Sequence, residues 1–492
     1  MSKIKIGWAE VDITPKEKIS LAGQFYERVS DVVESPLTVT ALAVESGNDQ
    51  MIIVSSDLPG VAQNLNRMVK EILKDKLPIS TDKVILSAIH SHTSYVYKQE
   101  RTLPMAMGYL KTVLPEDMEY ESKTTGEKFM DPEVALNFLA EKLAEVVLLA
   151  WENRTEGYYQ CAFGRAAVGM NRRVRYDDGS ALMWGDVNTA NFTHLEAGND
   201  SGIELMFTYD KDKNLSGVVA NVACPAQIVE QRSFISSDYW GKVKENLRKE
   251  YGEDLKVLGL CSAAGDQCPR DLVRWVEPET PVDDPHVNHE NPPERRADPS
   301  MFDISGLKVV GRRISSEIIA VYEELDKSLM KDEGVLEHKT LEMTFPLRRV
   351  TKKEYLEAVE KIDEYIANNR GRRANFHDNA RLYVYSGIVD RYKMQQTINT
   401  FKEEIHVIRF DDIAIASNPF ELFLDYGNQI RARSKAKQTF LIQLACGCGG
   451  YLPTAYAETG SHYSAYVSSG TTGHEGGELL VRETLDNINK MF

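Results

Sequence analysis

Cysteine and long apolar runs are both scarce in this chain. No apolar stretch reaches the length that a membrane-spanning helix needs. The first residues also lack the apolar segment and the cleavage site of a signal peptide. The chain has only six cysteines among 492 residues, and in a protein without an export signal we expect them to be mostly thiols. These absences together predict a cytoplasmic protein without a membrane segment.

Basic residues are outnumbered by acidic ones. Lysine and arginine total 58 against 74 aspartate and glutamate residues, which gives a formal net charge of −16. No basic stripe or arginine-rich helix is present, so the composition argues against nucleic acid and anionic membranes as partners. With 42% hydrophobic residues, the chain can bury a sizeable core. A small-molecule substrate is the partner we expect, and the oligomeric state stays open.

The order of the predicted elements indicates an α/β fold. An apolar strand at residues 50–58 is followed by helical spacing at 61–77 and a second strand at 83–89, which is a βαβ unit with a parallel strand pair. Further strands are predicted at 202–209, 217–224, 256–261, 333–349 and 404–418, and helices at 130–153, 238–251, 303–327, 352–368, 377–396 and 475–491. We predict mixed, partly parallel sheets with helices in a single large domain, residues 1–492, with insertion loops at about 96–131 and 276–300.

Two histidines stand at the end of the second strand of that unit. The strand at 83–89 reads Lys-Val-Ile-Leu-Ser-Ala-Ile and is followed by His90, Ser91 and His92. In open α/β sheets ligands bind at the carboxyl ends of strands, and neutral imidazole is a common ligand of catalytic metals. The motif therefore indicates a metal site, although two histidines near a strand end are also typical of ordinary hydrogen-bonding residues.

Two cysteines also follow predicted strand ends. Cys268 lies after a glycine turn in the segment Gly-Asp-Gln-Cys-Pro, where a thiol of lowered pKa could be a nucleophile. Cys224 ends the strand at 217–224 and could be a soft metal ligand. Both positions are also typical of buried structural cysteines, and the sequence leaves the two interpretations open.

A buried carboxylate is a further candidate. Glu421 lies inside the apolar run 413–423, where a carboxylate is costly unless it is paired or bound to a metal. Cys446 and Cys448 precede two glycines whose backbone can approach a site closely, but one Cys-x-Cys motif is a weak indication of metal binding. His286 and His289 lie in the polar segment 276–300, and we expect both to be solvated.

Taken in order, these segments resemble the neutral/alkaline (non-lysosomal) ceramidase family over nearly the whole chain. The segment Gly-Trp-Ala-Glu-Val-Asp-Ile-Thr-Pro at residues 7–15 is similar to the family's N-terminal Gly-x-Ala-Asp-Ile-Thr motif. Residues 53–58 are similar to its Val-Ser-Ala-Asp-Leu strand, and the segment around His90 and His92 to its Thr-His-Thr-His-Ser-Gly motif. The resemblance implies the fold of the family's catalytic domain.

The resemblance also implies roles for three residues in the first half of the chain. In the family the first histidine binds zinc and the second faces the reacting carbonyl, which here gives these roles to His90 and His92. The family's Asn-Arg-Ser segment matches Asn-Arg-Arg at residues 171–173. The family's arginine lines the site, so the resemblance assigns that position to Arg172.

Three residues near the C-terminus match in the same way. Glu421, in the segment Pro-Phe-Glu, matches the family's acidic ligand, and Tyr451 matches its tyrosine ligand. A second tyrosine of the family's site follows twelve residues after the first, and this spacing identifies Tyr463 here. This preserved spacing is the most specific agreement in the C-terminal part.

Two positions depart from the family's pattern. Cys224 stands where the family has its second zinc histidine, and Cys268 replaces the serine of the family's Gly-Asp-x-Ser-Pro segment. Because cysteine also binds zinc, the resemblance implies a zinc site of His90, Cys224, Glu421 and Tyr451, although a softer ligand set could change the metal. We also expect no counterpart of the family's C-terminal immunoglobulin-like domain.

The resulting hypothesis is a zinc-dependent hydrolase that cleaves an N-acyl amide bond of a polar, soluble substrate. A bound metal would activate water or polarise the carbonyl. Arg172, Tyr463 and His92 would stabilise the oxyanion, where one preorganised donor is typically worth ~3 kcal/mol. Cys268 is the alternative nucleophile, although no base that would activate it is identifiable.

Other interpretations stay open at this point. Asp238 and Asp266 are either carboxylates that orient ligand side chains or ordinary turn residues. The scaffold could instead support a carbohydrate-active hydrolase or lyase, since fold does not fix function. It could also belong to a non-catalytic relative that keeps the pocket for binding.

Overall fold

A computed structural model of the chain describes residues 2–100, 113–119, 126–276, 296–297 and 303–492. Within these ranges, no helix combines the length and the apolar character needed to cross a membrane. All six cysteines lie in the described residues as thiols, and none forms a disulfide, in line with the prediction that they are mostly thiols. His286 and His289 lie outside the described residues, as do most of the segment 276–300 and parts of the segment 96–131.

Groups of strands are separated by helices along the described part of the chain. The strands are β1 Ser2–Asp12, β2 Ile19–Ser20, β3 Val29–Ser30, β4 Thr38–Ser46, β5 Asp49–Ser56, β6 Val84–Ala88, β7 Thr155–Glu156, β8 Tyr158–Arg165, β9 Met170–Asn171, β10 Arg173–Tyr176, β11 Ala181–Met183, β12 Phe192–Leu195, β13 Gly202–Tyr209, β14 Leu215–Val222, β15 Lys256–Cys261, β16 Gln267–Cys268, β17 Trp275–Val276, β18 Arg296–Ala297, β19 Glu333–Gly334, β20 Leu336–Pro346, β21 Thr400–Phe410, β22 Ile413–Ser417, β23 Phe420–Leu422, β24 Gln438–Ile442 and β25 Gly450–Leu452. The helices are α1 Gln63–Leu73, α2 Pro132–Glu152, α3 Tyr239–Tyr251, α4 Asp303–Glu324, α5 Lys352–Asn368, α6 Phe376–Met394, α7 Leu424–Arg433, α8 Ala455–Gly460 and α9 His474–Met491.

Local capping explains where several helices begin. The Asp131 side chain accepts hydrogen bonds from the first backbone N–H groups of α2, and Pro132 is the first helical residue. At the start of α5, Thr351 and Glu354 form a reciprocal capping box. These short-range signals are visible in the sequence, which is why the predicted and observed helices agree closely.

Three main sheets organise the fold. The first has the strand order β19-β1-β4-β5-β6, the second β15-β14-β13-β8, and the third β20-β21-β22-β24. Most neighbours are antiparallel, but each sheet contains one parallel pair: β5 with β6, β14 with β15, and β22 with β24. The predicted α/β fold with mixed, partly parallel sheets is therefore confirmed, and β5, α1 and β6 form the predicted βαβ unit.

The three sheets share one apolar core. Trp8 and Ile53 enter it from the first sheet, Leu258 from the second, and Ile415 and Phe440 from the third. The opposite face of each sheet is covered by helices: α1 and α2 on the first, α3 and α4 on the second, and α7 and α9 on the third. Because both faces are buried, strands such as β13 and β22 read as continuous apolar runs.

The carboxyl ends of the parallel pairs meet at one edge of this core. Backbone hydrogen bonds join them: the N–H of Cys446 donates to the carbonyl of Leu86 at 2.8 Å, and that of Ala226 to the carbonyl of Ile89 at 3.1 Å. The loops that follow β6, β14 and β24 therefore lie side by side. This is the place where an open α/β sheet binds ligands.

Two predicted strands differ from the structure. The segment 333–349, expected as one strand, forms β19 at the edge of the first sheet and β20 in the third sheet. The run 404–418, expected as a single strand, forms the two antiparallel strands β21 and β22. They are joined by a turn at Asp411, whose φ of 55° lies in the left-handed region that aspartate tolerates. Both strands are buried, so the apolar pattern continues across the turn and conceals it.

Candidate functional site

A cavity of about 430 Å³ opens where the carboxyl ends of the three sheets meet. The polar part of its wall contains His90, His92, Glu421, Tyr451 and Tyr463, and the apolar part includes Leu21, Phe25, Val96, Tyr383 and Leu444. The polar members come from four separate segments of the sequence: the loop after β6, the strands β23 and β25, and the loop that carries Tyr463. Five of the eight predicted site residues therefore line a single cavity.

His90 leaves β6 in a strained backbone conformation. Its φ of 70° lies in the left-handed region, which costs a residue with a Cβ roughly 1–2 kcal/mol. Its Nδ1 lies 2.6 Å from the carbonyl oxygen of Pro59, and because a carbonyl only accepts, Nδ1 carries the ring hydrogen. Burial lowers the pKa of His90 to about 4. The ring is therefore neutral near pH 7 and holds a lone pair on Nε2, which is the form that binds metals.

The lone pair of His90 faces a carboxylate. Nε2 lies 3.5 Å from Oε2 of Glu421, and the two side chains are only 13% and 15% exposed. Two acceptors at this distance repel each other unless a positive charge lies between them. Tyr451 is the register partner of Glu421 in the parallel pair of β23 with β25. Together these three side chains offer nitrogen and oxygen atoms as ligands that fit a divalent ion such as zinc.

Arg172 lies next to this group. It follows β9, which pairs with β16, and its Nη2 donates to the hydroxyl of Tyr451 at 3.1 Å and to the carbonyl of Gly265 at 2.8 Å. Its buried Nε has no partner among the described residues. Burial lowers the pKa of Arg172, but Tyr451 and Glu421 outweigh burial and raise it overall. An N–H without a partner is a vacant donor, which suits the stabilisation of an oxyanion.

Gly265 makes this arrangement sterically possible. A Cβ on Gly265 would lie 2.2 Å from the carbonyl oxygen of Glu421. The turn that carries Gly265 therefore packs directly on the backbone that carries Glu421. This close packing explains how a turn after β15 and a strand of the C-terminal region come to share one site.

His92 lies between His90 and a second carboxylate. Its ring packs edge-on against that of His90, with centroids 4.7 Å apart. Its Nδ1 lies 2.9 Å from Oε2 of Glu230, although the contact is not aligned as a hydrogen bond. A small rotation of either side chain would align the two groups as a hydrogen bond. Nε2 of His92 is then the ring nitrogen that remains for a substrate.

Tyr463 completes the polar wall. Its ring packs edge-on against Tyr451 and Phe25, with centroids 5.4 Å and 5.6 Å away. Burial raises the pKa of Tyr463 well above its ordinary value, so its hydroxyl is protonated and can donate. Its neighbours His462 and Ser464 both have a φ of 70°. The buried Arg173 holds this strained loop by donating from Nη1 to the carbonyl of Tyr463 at 2.8 Å.

Cys224 and Cys268 do not line the cavity in the described part of the chain. Sγ of Cys224 lies 3.6 Å from the carbonyl of Val168, and burial raises the pKa of this thiol well above its ordinary value. It does not form a group with His90 and Glu421 in which all ligand atoms lie within 4.8 Å. Burial raises the pKa of Cys268 to about 11, so it is a neutral thiol near pH 7. A ligand role for Cys224 and a nucleophilic role for Cys268 stay predictions.

Asp266 connects the elements that carry Arg172 and Glu421. Its carboxylate accepts from the backbone N–H of Leu424 and from the side-chain amide of Asn171, both at 2.9 Å. Burial raises its pKa to about 6. Asp266 does not line the cavity among the described residues, so it acts on the site by positioning its neighbours.

Asp238 has a similar role at the start of α3. It accepts from the backbone N–H groups of Tyr239 at 2.8 Å and Val229 at 3.1 Å, and burial raises its pKa to about 7. The bond to Val229 fixes the segment that carries Glu230. Asp238 is thus a turn residue that also places a carboxylate beside His92.

Sequence reasoning missed three residues of the site. Glu230 follows Ile228 and Val229, and the argument applied to Glu421, a carboxylate next to apolar residues, would have singled it out. Phe25 and Gly23 carry no comparable signal, because their segment has no periodic pattern. Cys448 also lines the cavity, whereas Cys446 lies 3.6 Å from His406 on the other side of the loop.

Comparison with known proteins supports the fold. No family model matches the chain, and no curated protein matches it. The solved structure of neutral ceramidase from Pseudomonas aeruginosa matches with a TM-score of 0.66 and 14% sequence identity, over 100% of this chain and 75% of that one. A ceramidase complexed with C2 matches with a TM-score of 0.66 and 13% identity, over 99% and 75%. The chain is a mixed α/β protein with the fold of these ceramidases, and the fold implied by the sequence resemblance is confirmed.

Proposed function

We propose that the protein is a metal-dependent hydrolase that cleaves an amide (N-acyl) bond of a polar, soluble small molecule. The observation that carries the proposal is the pair formed by Nε2 of His90 and Oε2 of Glu421, 3.5 Å apart. A lone pair and a carboxylate that face each other in a partly buried wall repel each other, and a cation between them relieves this repulsion. The ceramidase-like fold supports the same class of reaction.

His90, Glu421 and Tyr451 would hold the metal ion. When bound, a divalent ion such as zinc polarises a carbonyl oxygen and makes water a stronger nucleophile near neutral pH. Three protein ligands leave one position open, as in other catalytic zinc sites. The Pro59 carbonyl fixes the ring of His90 through its other nitrogen, as backbone carbonyls commonly do for ligating histidines.

Arg172 and Tyr463 would stabilise the negative charge that develops on the amide oxygen. The guanidinium of Arg172 is charged at every relevant pH, and its Nε has no partner among the described residues. The hydroxyl of Tyr463 is protonated because burial raises its pKa. A preorganised donor of this kind typically contributes ~3 kcal/mol, or about 10²-fold in rate.

His92 would move the proton. A water molecule adds to the carbonyl carbon and loses a proton, the C–N bond breaks, and the nitrogen leaves as an amine after gaining a proton. Nε2 of His92 can accept the first proton and deliver the second, while Glu230 beside Nδ1 stabilises the charged ring. Water is favoured over Cys268 as nucleophile because burial raises the pKa of that thiol to about 11.

The apolar wall indicates where the acyl group would bind. Leu21, Phe25 and Tyr383 line the same cavity as the polar groups. Cavities with a mainly apolar lining and a few placed polar groups are typical of small-molecule sites. An N-acylated small molecule would bind with its acyl group against these side chains and its amide against the polar wall. Arg172 lies next to that wall through Tyr451 but does not itself line the cavity among the described residues.

The test begins with elemental analysis of protein purified without added metal or chelator. We expect stoichiometric metal that falls by about one ion per chain in His90→Ala and in Glu421→Ala. The control is His194→Ala, which removes an exposed histidine that contacts Tyr456 at 3.0 Å. Full metal occupancy in both cavity variants would show that the ligand set is wrong.

A substrate panel then tests the reaction. N-acyl compounds and glycosides should be screened side by side, and we expect chelator-sensitive release of an amine from N-acyl compounds. Cleavage of glycosides alone would replace the amide hypothesis with a carbohydrate-active one. Cys224→Ala belongs in the metal analysis with His90→Ala and Glu421→Ala. Loss of metal in this variant would support Cys224 as the predicted fourth ligand.

A further inference from the structure

Glu404, His406 and Cys446 form a second group of candidate ligands. Among the described residues, they are the one group of three His, Cys, Asp or Glu side chains whose ligand atoms all lie within 4.8 Å of one another. His406 is 0% and Cys446 3% exposed. Glu404 and His406 lie on β21, and Cys446 lies in the loop between β24 and β25. None of the three lines the cavity described above.

The position of the hydrogen on His406 follows from its neighbours. The hydroxyl of Thr340 donates its hydrogen to the carbonyl of Asp82 at 2.5 Å. The same hydroxyl lies 3.2 Å from Nδ1 of His406, and because its hydrogen is already used, it can only accept a hydrogen bond from that nitrogen. Nδ1 of His406 also lies 2.9 Å from Nε2 of His338, whose other nitrogen lies 3.1 Å from the carbonyl of Gln50. Each hydrogen bond in this series, from Gln50 through His338 to His406 and Thr340, has one donor and one acceptor if His406 carries its hydrogen on Nδ1.

Nε2 of a neutral His406 therefore has a lone pair. That lone pair lies 2.8 Å from Oε1 of Glu404 and 3.6 Å from Sγ of Cys446. Lys70 neutralises part of the charge by binding the other carboxylate oxygen, Oε2, at 2.5 Å. Oε1 remains directed at the imidazole. As at His90 and Glu421, two acceptors face each other where a cation would separate them.

The nitrogen–sulfur spacing suits a zinc-class ion, whereas the 2.8 Å between Nε2 of His406 and Oε1 of Glu404 is a hydrogen-bond distance that has to lengthen by about 0.5 Å when an ion binds. Bond lengths of about 2.0 Å to nitrogen and 2.3 Å to sulfur place the two ligands of a tetrahedral ion roughly 3.5 Å apart. The observed distance from Nε2 of His406 to Sγ of Cys446 is 3.6 Å. We propose that Glu404, His406 and Cys446 bind a divalent ion of the zinc class, separate from the ion of the cavity.

The site can be reached from solvent, and the ring of its histidine is held in a fixed orientation. A groove of about 610 Å³ is lined by Lys70, Glu404 and Cys446, so an ion and a water molecule for its fourth position can enter from it. The hydrogen-bonded chain from Gln50 through His338 fixes the ring of His406. Orientation through the second ring nitrogen is the usual arrangement for a ligating histidine.

An ion at this place would connect β21 to the loop that leads to Tyr451. Cys446 has a φ of 59°, and its flanking residues Leu444 and Cys448 line the catalytic cavity. The ion would therefore bind the strained loop on the face opposite the cavity. It would stabilise the folded protein because an ion that binds only the folded state shifts the unfolding equilibrium.

Cobalt substitution tests the proposal independently of the proposed function. The protein is stripped with a chelator and titrated with Co²⁺, and a thiolate ligand is detected by its sulfur-to-cobalt charge-transfer absorption. We expect this band in the wild type, in His90→Ala and in Cys224→Ser, and its loss in Cys446→Ser and in His406→Gln. A band that persists in Cys446→Ser and disappears in Cys224→Ser would overturn the proposal, because the thiolate would then belong to the cavity.

X-ray absorption covers the case in which Cys446→Ser fails to fold. In the zinc-loaded His90→Ala, Cys224→Ser double variant, we expect one sulfur neighbour around the remaining zinc. Absence of bound zinc in this folded double variant would mean that His406 holds a proton in place of a metal. That result would also overturn the proposal while leaving the cavity hypothesis intact.

Discussion

Gly23 lies directly against the ring of His92. A Cβ on Gly23 would be 2.4 Å from Cγ of His92, and the φ of Gly23 is +96°. Both facts require glycine at this position, one for space and one for backbone conformation. The wall of the cavity therefore depends on a residue that has no chemistry of its own.

Replacing Gly23 with alanine should disturb both stability and activity. Gly252, at the end of α3, has a similar φ of +105°, but a Cβ there would meet nothing within 4 Å. Gly252→Ala should therefore be destabilised only by backbone strain, roughly 1–3 kcal/mol, because φ +105° with ψ 151° is a region that essentially only glycine adopts. Gly23→Ala should lose more stability, because the methyl group also clashes with His92, and hydrolytic activity should fall in this variant alone. Urea unfolding and a hydrolysis assay measure the two effects, and equal losses in the two variants would contradict this interpretation.

Glu230 should matter for the rate through His92. Its carboxylate lies 2.9 Å from Nδ1 of His92, so Glu230→Gln removes the charge that stabilises a protonated ring but keeps the shape. We expect kcat to fall about 10- to 100-fold, as for other groups that orient a catalytic residue, with metal content and KM unchanged. Glu152→Gln, at the exposed end of α2, serves as the control. A change in KM without a change in kcat would instead assign Glu230 to substrate binding.

The two tyrosines of the wall should separate into different roles. Tyr451 receives a hydrogen bond from Arg172 at 3.1 Å and is paired in register with Glu421, so Tyr451→Phe should weaken metal binding. Tyr463→Phe should retain the metal and lose about 10²-fold in kcat, because it removes one donor of the proposed oxyanion site. Metal analysis and kinetic measurements on the same preparations of both variants check these two roles. Equal metal retention in both variants would remove Tyr451 from the ligand set.

Asp238 should give the protein a specific pH dependence of stability. Burial raises its pKa from 3.8 to about 7 in the folded state, so between these pH values the folded state binds more protons than the unfolded one. The stabilisation of the folded state by Asp238 is complete below about pH 4 and is lost as the pH rises through 7.

The variant Asp238→Asn cannot ionise and should not lose this contribution. The free energy of unfolding of the wild type, relative to the variant, should fall by up to ~1.4 kcal/mol per pH unit across that window. Urea unfolding at several pH values measures the difference, with the exposed Asp31→Asn as control. A constant difference between wild type and Asp238→Asn from pH 4 to 7 would mean that Asp238 is already ionised in the folded protein.

Much of the secondary structure could be predicted because it depends on neighbours in the sequence. The strands at 202–209 and 256–261 have the predicted bounds, and the helices α3 and α5 nearly so. Periodicity and caps are local signals, and they act within a few residues. The turn at Asp411 was missed because burial of both flanking strands extends the apolar pattern through it.

The amino-acid sequence by itself determined many of the elements, the βαβ unit and the candidate residues at strand ends, because each depends on a short stretch of chain. Only the tertiary structure decided which candidates share a site. It brings His90, His92, Glu421, Tyr451 and Tyr463 to one cavity, and it places Glu230 beside His92 and Cys446 beside His406. Most of these contacts join residues more than 100 positions apart, and Cys446 and His406 are still 40 positions apart on different elements. They depend on how three sheets pack around a shared core, which no local pattern encodes.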